Sequence, residues 1–466
     1  MNKDYKYLII GSGPGGTVAA KTLIEHGETD ICIIEEGKKP IKKTKMGSFK
    51  DLTENYRNGG AEIIFSKPKV SIAHGKVLGG GSEVNSGLYH RINKEQLQSW
   101  ANTFDIKNLN YEELLEHYSS NEEWLNVNNI DNKLGTLSKK IIDGFENTKY
   151  ETENVSRWQK LENNEIISQS MFEVFHKNNI VDTFVDARAE RIIFENKKAK
   201  HALISYNKKT IKISFKYLII ACGTFQTPKL LLNSGYNFNN KLTFEFHPHM
   251  KIGIKFNEKI NSTEIVSPIQ VKFNDLNSSF GSSINTPQWK ALFLMDKIKN
   301  NSKNVVSSLE NWGIYYLMIK PEGTGNIIYS KFLKSFFLSF KFTQTDINNF
   351  SDSVSLIQKI YKNLDIHDIA LPTKFSENIV SKNHFDEANF IKYFMTMSLH
   401  SVHTFSTLRI GETNKSELDS YGVLKHINNV LICDSSVLPK APGKNPQGII
   451  MALTRRNIIN FIENAK

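Results

Sequence analysis

Cysteine is scarce in this chain: Cys32, Cys222 and Cys433 are the only three among 466 residues. An odd number with no CxxC spacing excludes a disulfide framework and a cysteine-based zinc site. Each lies in an apolar run (ICII, IIACG, LICD), which predicts a buried reduced thiol packed as a small hydrophobe. No run of about 18 apolar residues is present, so no transmembrane segment is expected. Only MNKDY precedes the first strand-like segment, with no secretory core, and a cytoplasmic location is the expectation. Low-complexity tracts and fixed-period repeats are also absent, which excludes repeat architectures.

The charge leans one way, to a net +11, but the lysines are scattered. The densest cluster, GKKPIKKTKMG (37–47), reads as a loop. A solvated basic surface is the simplest account, and no nucleic-acid partner is expected. At 39% hydrophobic and 23% charged the composition is that of a globular protein, and the length suits two domains. The most aromatic patch, FLKSFFLSFKF (332–342), is short and broken by lysine, so it is expected to be a core strand or pocket wall rather than a membrane contact.

The clearest local pattern opens the chain. Tyr7 to Ile10 is a continuous apolar run, as in a parallel strand buried on both faces. It runs into Gly11-Ser-Gly13-Pro-Gly15-Gly16, then the helical TVAAKTLIEHG, then a second strand, DICIIEEG. Gly11, Gly13 and Gly16 fit GxGxxG: one glycine for the tight turn, one for backbone approach to a pyrophosphate, one for close packing of helix on strand. The helix start offers amide N–H groups to phosphate. Glu35 ends the second strand about 20 residues on, where a ribose-binding carboxylate belongs. This unit alone does not separate FAD from NAD. The five letters KYLII return at 216–220, followed by ACGTFQTP, and NNVLICD (428–434) is a looser third version. The flanks differ, so these read as buried central strands of one sheet, each with its own turn.

Further on stands GKVLGGGSEVNSGLYHR (75–91). Gly79, Gly80 and Gly81 remove every side chain where backbone must approach a ligand, and Ser82 and Asn85 add short polar groups. The segment resembles the GKxLGG-S-xx-N element of the glucose-methanol-choline (GMC) oxidoreductases. So do HSVHTFSTLRIG (400–411), aligned on His403, Thr407, Arg409 and Gly411, and the block 418–458 with its DSSVLP turn and its Asn445-Pro446 motif. The likeness covers about half the chain.

The resemblance implies an α/β fold: a discontinuous doubly wound, Rossmann-type FAD-binding domain (1–91, 171–240 and 405–466). An inserted substrate-binding domain with a mixed or antiparallel sheet would occupy 92–170 and 241–404. It implies FAD as cofactor, held by Gly11, Gly13, Gly16, Glu35, Gly79, Gly80, Gly81, Ser82, Asn85, Asp434 and Pro446. It implies a small alcohol, sugar or polyol substrate oxidised at CH–OH, with His403 abstracting the hydroxyl proton. Asn445 would position the alcohol oxygen; an amide there cannot take a proton. Some family members attach flavin through a histidine beside the Asn85 position. Here that neighbour is Val84, so non-covalent FAD is expected. Two departures stand out. Ser406 replaces the usual glycine, which restricts φ and suggests a different local backbone, and Ile410 replaces the usual methionine. No metal is expected at His247-Pro-His249, which lacks companion ligands. The competing readings are an NAD(P)-dependent dehydrogenase and a flavin-binding protein whose catalytic site has decayed. The sequence names no electron acceptor.

Overall fold

The structure is a computed structural model that describes residues 3–40, 48–129, 134–158, 160–162, 165–167, 181–260, 266–295, 307–362, 364, 366–372, 379–381 and 387–464. Two sheets organise it. The first is built on Lys3–Ile10, in the order Asp182–Phe184, Ile31–Ile34, Lys3–Ile10, Lys209–Ile220, Lys198–Tyr206, Ala187–Glu195. Val430–Ile432 completes it by pairing with the far half of Lys209–Ile220. The strands Asp182–Phe184, Ile31–Ile34, Lys3–Ile10, Lys209–Ile220 and Val430–Ile432 run parallel, and the arm 187–206 is antiparallel.

The recurrence of KYLII has a direct structural meaning. The two copies lie side by side, in register and parallel: Tyr7 with Tyr217, Leu8 with Leu218, Ile9 with Ile219, Ile10 with Ile220. The Tyr7 and Tyr217 rings stack at 5.3 Å. The third version follows, with Val430 to Ile432 against Leu218 to Ile220. A strand with neighbours on both edges and both faces covered must be apolar at every position, and Leu8, Ile9, Leu218 and Ile219 have no exposed surface. Helices Pro14–Glu25 and Gln447–Asn464 pack together on this sheet. Proline stands at the first position of Pro14–Glu25, where its missing N–H costs nothing. The helix after the second copy spans Gln226–Asn233, with Pro228 in its first turn.

The second sheet has fourteen strands, mostly antiparallel, and its centre is His249–Phe256 between Ser398–Ser401 and Trp312–Ile319. Its buried face is aromatic: Phe244, Phe246, Phe256, Phe273, Phe280 and Tyr315 are enclosed. The helices Thr136–Phe145 and Gln344–Lys362 lie against it.

Packing divides the chain differently from the expected boundaries in two places. Strands Glu62–Phe65 and Lys69–Ile72, counted with the cofactor part, pair with Ser335–Ser339 and Ser398–Ser401 of the second sheet. Helices Lys94–Phe104 and Tyr111–Leu125, counted with the substrate part, bury Leu97, Trp100, Phe104, Leu114 and Tyr118 in the same core as Leu8 and Ile10. The physical reason is the closing helix, which presses on Tyr111–Leu125 while Arg456 donates to the carbonyls of Lys107 and Asn108. Residues 171–180, counted with the cofactor part, lie outside the described residues. FLKSFFLSFKF is in its second half the core strand expected: Ser335–Ser339 pairs with Gly325–Ser330 and Glu62–Phe65, and Leu338, Phe340 and Phe342 are buried in the second core, whereas Phe332, 94% exposed, and Leu333, 57% exposed, stand in the hairpin turn before it. Among the described residues no helix is long and apolar enough to cross a membrane.

Candidate functional site

A cavity of about 610 Å³ runs between the two sheets. Of the residues singled out from the sequence, Gly11, Gly13, Glu35, Gly80, Gly81, Asn85, His403, Asp434, Asn445 and Pro446 line it. Gly16, Gly79 and Ser82 do not; they hold its walls in place. A Cβ on Gly16 would stand 1.9 Å from the Gly11 carbonyl oxygen, so this glycine serves the packing of helix on turn. Gly79 has φ +96 and donates its N–H to Ser12 Oγ at 2.9 Å. Ser82 is fully buried and donates to the Gly79 carbonyl at 2.6 Å, which closes its own turn.

At one end the cavity is walled by backbone. Gly13 and Gly81 have no protein atom within 4 Å of where a Cβ would stand, so each opens onto the cavity. Behind them the fit is tight: a Cβ on Gly80 would come 2.8 Å from Gly13 Cα. On Gly15, a position not singled out above, it would stand 1.6 Å from the Cys433 carbonyl oxygen. A glycine-lined trough at the start of a helix suits a pyrophosphate. Glu35 is buried and well used: Ser12 donates to Oε2 through N–H (2.9 Å) and hydroxyl (2.6 Å), and Gly37 N–H donates to Oε1 at 2.7 Å. Burial pushes its carboxyl up from the usual range despite these donors. A carboxylate has about four acceptor sites, so capacity remains for a ribose hydroxyl. Asp434 receives Gly223 N–H at 2.9 Å and the Thr227 hydroxyl on Oδ2, and caps Ser436 N–H at 2.8 Å. Its side chain shapes the second turn that borders the cavity. Asn85 binds Gln447 Oε1 at 2.6 Å and receives Gly87 N–H at 2.8 Å, which ties the glycine loop to the closing helix. The residues present thus fit FAD.

At the other end the walls are side chains of the second sheet. His249 and His400 are paired across neighbouring strands and stack at 5.3 Å. His403, half-buried, lies 5.3 Å from the His249 ring. His247 is fully buried, and its Nδ1 is 3.3 Å from His403 Nδ1. The Gly443 amide donates to His247 Nε2 at 3.0 Å. That nitrogen is therefore unprotonated, and neutral His247 carries its proton on Nδ1, facing His403. Burial, with His249 and His90 nearby, holds the His403 imidazole well below its ordinary pKa. Burial pushes His249 down to about 4. Asn445 sits on the same cavity, its Oδ1 3.4 Å from Gln270 Nε2, so its NH₂ group is left to donate elsewhere. His403 and Asn445 make no hydrogen bond to each other. Among the described residues no group of three or more His, Cys, Asp or Glu could hold a metal ion.

The rest of the HSVHTFSTLRIG segment is scaffold. Thr407 donates to the Thr224 carbonyl at 2.7 Å, and Arg409 Nε donates to the Pro439 carbonyl at 3.0 Å. Gly411 has φ +136 beside the Phe104 carbonyl, and Ile410 is fully buried. Ser406 does not bend the backbone away from the glycine conformation. It adopts φ +68, and its buried hydroxyl has no partner. The sequence motifs did not single out Gly15, Gln447 or the cavity residue Lys251, and His249 was weighed there only as a metal ligand. The two-residue spacing of His249 and Lys251 on the strand His249–Phe256 was the available signal.

The comparisons with known proteins agree with this geometry. The amino-terminal GMC oxidoreductase domain matches residues 5–256, and the carboxyl-terminal one matches 335–454. An uncharacterized GMC-type oxidoreductase, y4nJ of Sinorhizobium fredii, is 24% identical over 96% of this chain and 93% of its own length. An oxygen-dependent choline dehydrogenase of Staphylococcus aureus is 24% identical over 50% of this chain, which spans 47% of that relative. Two solved structures share the fold. Pyridoxine 4-oxidase from Mesorbium loti has a TM-score of 0.78 at 12% identity, covering 98% of this chain and 99% of its own. A variant of Aspergillus oryzae formate oxidase has a TM-score of 0.74 at 13% identity, covering 100% and 99%. The chain belongs to the GMC oxidoreductase family, whose cofactor is FAD.

Proposed function

We propose that the protein is an FAD-dependent oxidoreductase that oxidises a small molecule at a CH–OH group, with His403 and Asn445 acting on the hydroxyl and FAD held without a covalent bond. One observation carries the reading: a single cavity is lined both by the glycine trough at Gly13 and Gly81 and by His403 and Asn445. When bound, FAD supplies the acceptor for the hydride that leaves the alcohol carbon. The chain's own task is to hold the alcohol and move the hydroxyl proton. Asn445, its oxygen turned to Gln270, donates its NH₂ to the alcohol oxygen and stabilises developing negative charge there. His403, neutral at pH 7 because burial disfavours its cation, accepts the hydroxyl proton. Val84 beside Asn85 offers no nitrogen for a flavin bond, so denaturation is expected to release the yellow cofactor.

A second reading has an observation of its own. The Gly443 amide fixes the His247 tautomer, and His247 then donates to His403 Nδ1. In that chain the proton of neutral His403 resides on Nε2, which makes the residue a donor to the alcohol oxygen. Anaerobic flavin bleaching separates the two. His403→Ala lowers the reduction rate by about 10² to 10⁴ under either reading. His403→Gln keeps a donor but no base. A rate as low as that of Ala supports the base; a rate within about tenfold of wild type supports the donor. Wild-type rates in His403→Ala, with any alcohol that bleaches the flavin, would mean that His403 has no part in the reaction.

A further inference from the structure

The two ends of the cavity differ in charge. Near the glycine trough Glu35, Glu36 and Asp434 face the cavity together with Arg57, Arg188 and Lys229, so carboxylates and cations are mixed there, and Arg57 Nη2 pairs with Glu36 at 2.7 Å. The wall formed by His249–Phe256, Trp312–Ile319, Ser278–Ser282 and the helix Pro287–Met295 contributes one formal charge to the cavity, Lys251. Among the described residues Lys251 makes no ion pair and no hydrogen bond. Its Nζ lies 4.6 Å from the centre of the Trp289 ring, a contact that offsets only part of the cost of removing an ammonium from water. Burial accordingly pushes Lys251 down to about 8. Beside it, Trp289 Nε1–H is a buried donor with no acceptor. An unpaired cation and an unpaired N–H donor on one cavity wall share one complement, an anionic oxygen.

The position is fixed by the sheet. Lys251 follows His249 by two residues, so both project from the same face, about 7 Å apart along the strand. Tyr316 stands opposite Lys251 on the next strand, and the His249 ring touches both Tyr316 and His403. We propose that Lys251 and Trp289 receive an anionic group carried by the alcohol substrate, a carboxylate or a phosphate a few bonds from the hydroxyl that meets His403 and Asn445. The proposal rests on the alcohol-oxidising reading above. It also disfavours a quaternary ammonium alcohol, which would meet an ammonium with no carboxylate beside it.

The test uses the FAD-loaded enzyme and four alcohols of similar length: 4-hydroxybutyrate, 3-hydroxypropyl phosphate, 1,4-butanediol and choline. Anaerobic flavin reduction is expected to favour one or both anionic alcohols over butanediol at least tenfold in kcat/KM, with choline poorest; the better anion tells carboxylate from phosphate. Butyrate, which has no hydroxyl, is the probe of binding alone and is followed by the shift of the flavin absorbance. Lys251→Met is expected to weaken butyrate at least tenfold and to erase the preference for anions; Lys251→Arg keeps the preference. Should the Met variant fail to fold, the pH dependence of butyrate binding to wild type replaces it. Affinity is expected to fall as pH rises through about 8. Around Lys251, burial lowers His249 to about 4 and holds His400 and His403 well below the ordinary imidazole range, and Tyr316 is pushed above its ordinary range, so none of them changes charge near pH 8. Lys290, on the helix of Trp289, also titrates near 8, and Lys290→Met separates its contribution. Preference for butanediol or choline, or butyrate affinity unchanged in Lys251→Met and flat in pH, overturns the proposal and leaves the alcohol reading intact. If none of the alcohols bleaches the flavin while butyrate binds through Lys251, the anion site stands and the alcohol reading falls.

Discussion

The two ends of the cavity are built by opposite means. The cofactor end is backbone: glycines at turns, amide groups and two carboxylates, Glu35 and Asp434, whose acceptors are largely engaged within the chain. The substrate end is side chain: His249, His400 and His403, a lysine, an asparagine and aromatic rings on the face of a wide sheet, with His247 buried behind them. A backbone wall has little freedom to vary: an added atom on Gly15, Gly16 or Gly80 collides with other backbone, and one on Gly13 or Gly81 enters the cavity itself. A side-chain wall can be rewritten one residue at a time without moving a strand. The difference teaches that the first end should fail by losing structure and the second by losing chemistry.

The sharpest way to break that contrast lies in the glycines. Gly15→Val should be the most damaging single change, since its Cβ would lie 1.6 Å from the Cys433 carbonyl oxygen, between two elements that cannot yield. A loss above about 3 kcal/mol is expected, seen as insoluble or flavin-free protein. Gly13→Ala, with no protein atom within 4 Å, should melt within about 1 kcal/mol of wild type yet carry less flavin, read as absorbance at the flavin band. Equal melting points for the two variants would erase the distinction.

Acid should act on the substrate end. His249 has a folded pKa lowered to about 4, so the unfolded chain binds the proton more readily. Its contribution is present above about pH 6.5 and is lost as pH falls from there towards 4. At pH 5 that loss is about 2 kcal/mol for this buried residue alone, and His247, His400 and His403 shift in the same direction. Thermal melts should therefore drop steeply between pH 6.5 and 5, and His249→Gln should flatten the drop. The same sign governs catalysis. The acid limb of flavin reduction should lie well below the ordinary imidazole range; a limb centred near 7 would contradict the burial of His403.

The smallest expected effect is at Ser406. A serine at φ +68 is strained by about 1 kcal/mol, and its buried hydroxyl is unpaired. Ser406→Gly should raise stability by about 1 kcal/mol, net of the entropy glycine adds to the unfolded chain, with flavin reduction unchanged. A destabilised Ser406→Gly would show that the serine had found a use.

The legibility of the sequence follows the same division. The dinucleotide turn is contiguous, so strand, glycines, helix and Glu35 can be read in one pass. At the other end a family likeness pointed to His403 and Asn445, and both do line the cavity. Lys251 was hidden, and His249 left without a role, because a strand declares its periodicity but not its neighbours, and the meaning of Lys251 depends on Trp289 and Tyr316 from distant segments. The assignment of 62–72 and 94–125 to the wrong side has that cause too: strand pairing and helix docking override sequence order. Phe332 and Leu333 looked like core by composition, yet they occupy a hairpin turn, where backbone geometry outweighs side-chain preference. Ser406 raised the opposite difficulty. The substitution suggested a changed backbone, whereas the surrounding hydrogen bonds from Ser406 N–H to Ser435 and Leu408 N–H to Ser436 hold the old one.

The side-by-side strands KYLII and KYLII also set the order of events during synthesis. The first copy leaves the ribosome more than two hundred residues before its partner, and Val430–Ile432 comes two hundred later still. Until the second copy emerges the amino-terminal strand has an unpaired edge; until 430–433 emerges that second copy has one too, and Gly15 lacks the Cys433 carbonyl it packs against. Such distant pairing makes folding slow and leaves sticky edges exposed. The flavin trough can close only after nearly the whole length has been translated. Cofactor uptake is then a proofreading step for the nascent protein: a chain that acquires yellow colour has already brought its first and last sheet strands together.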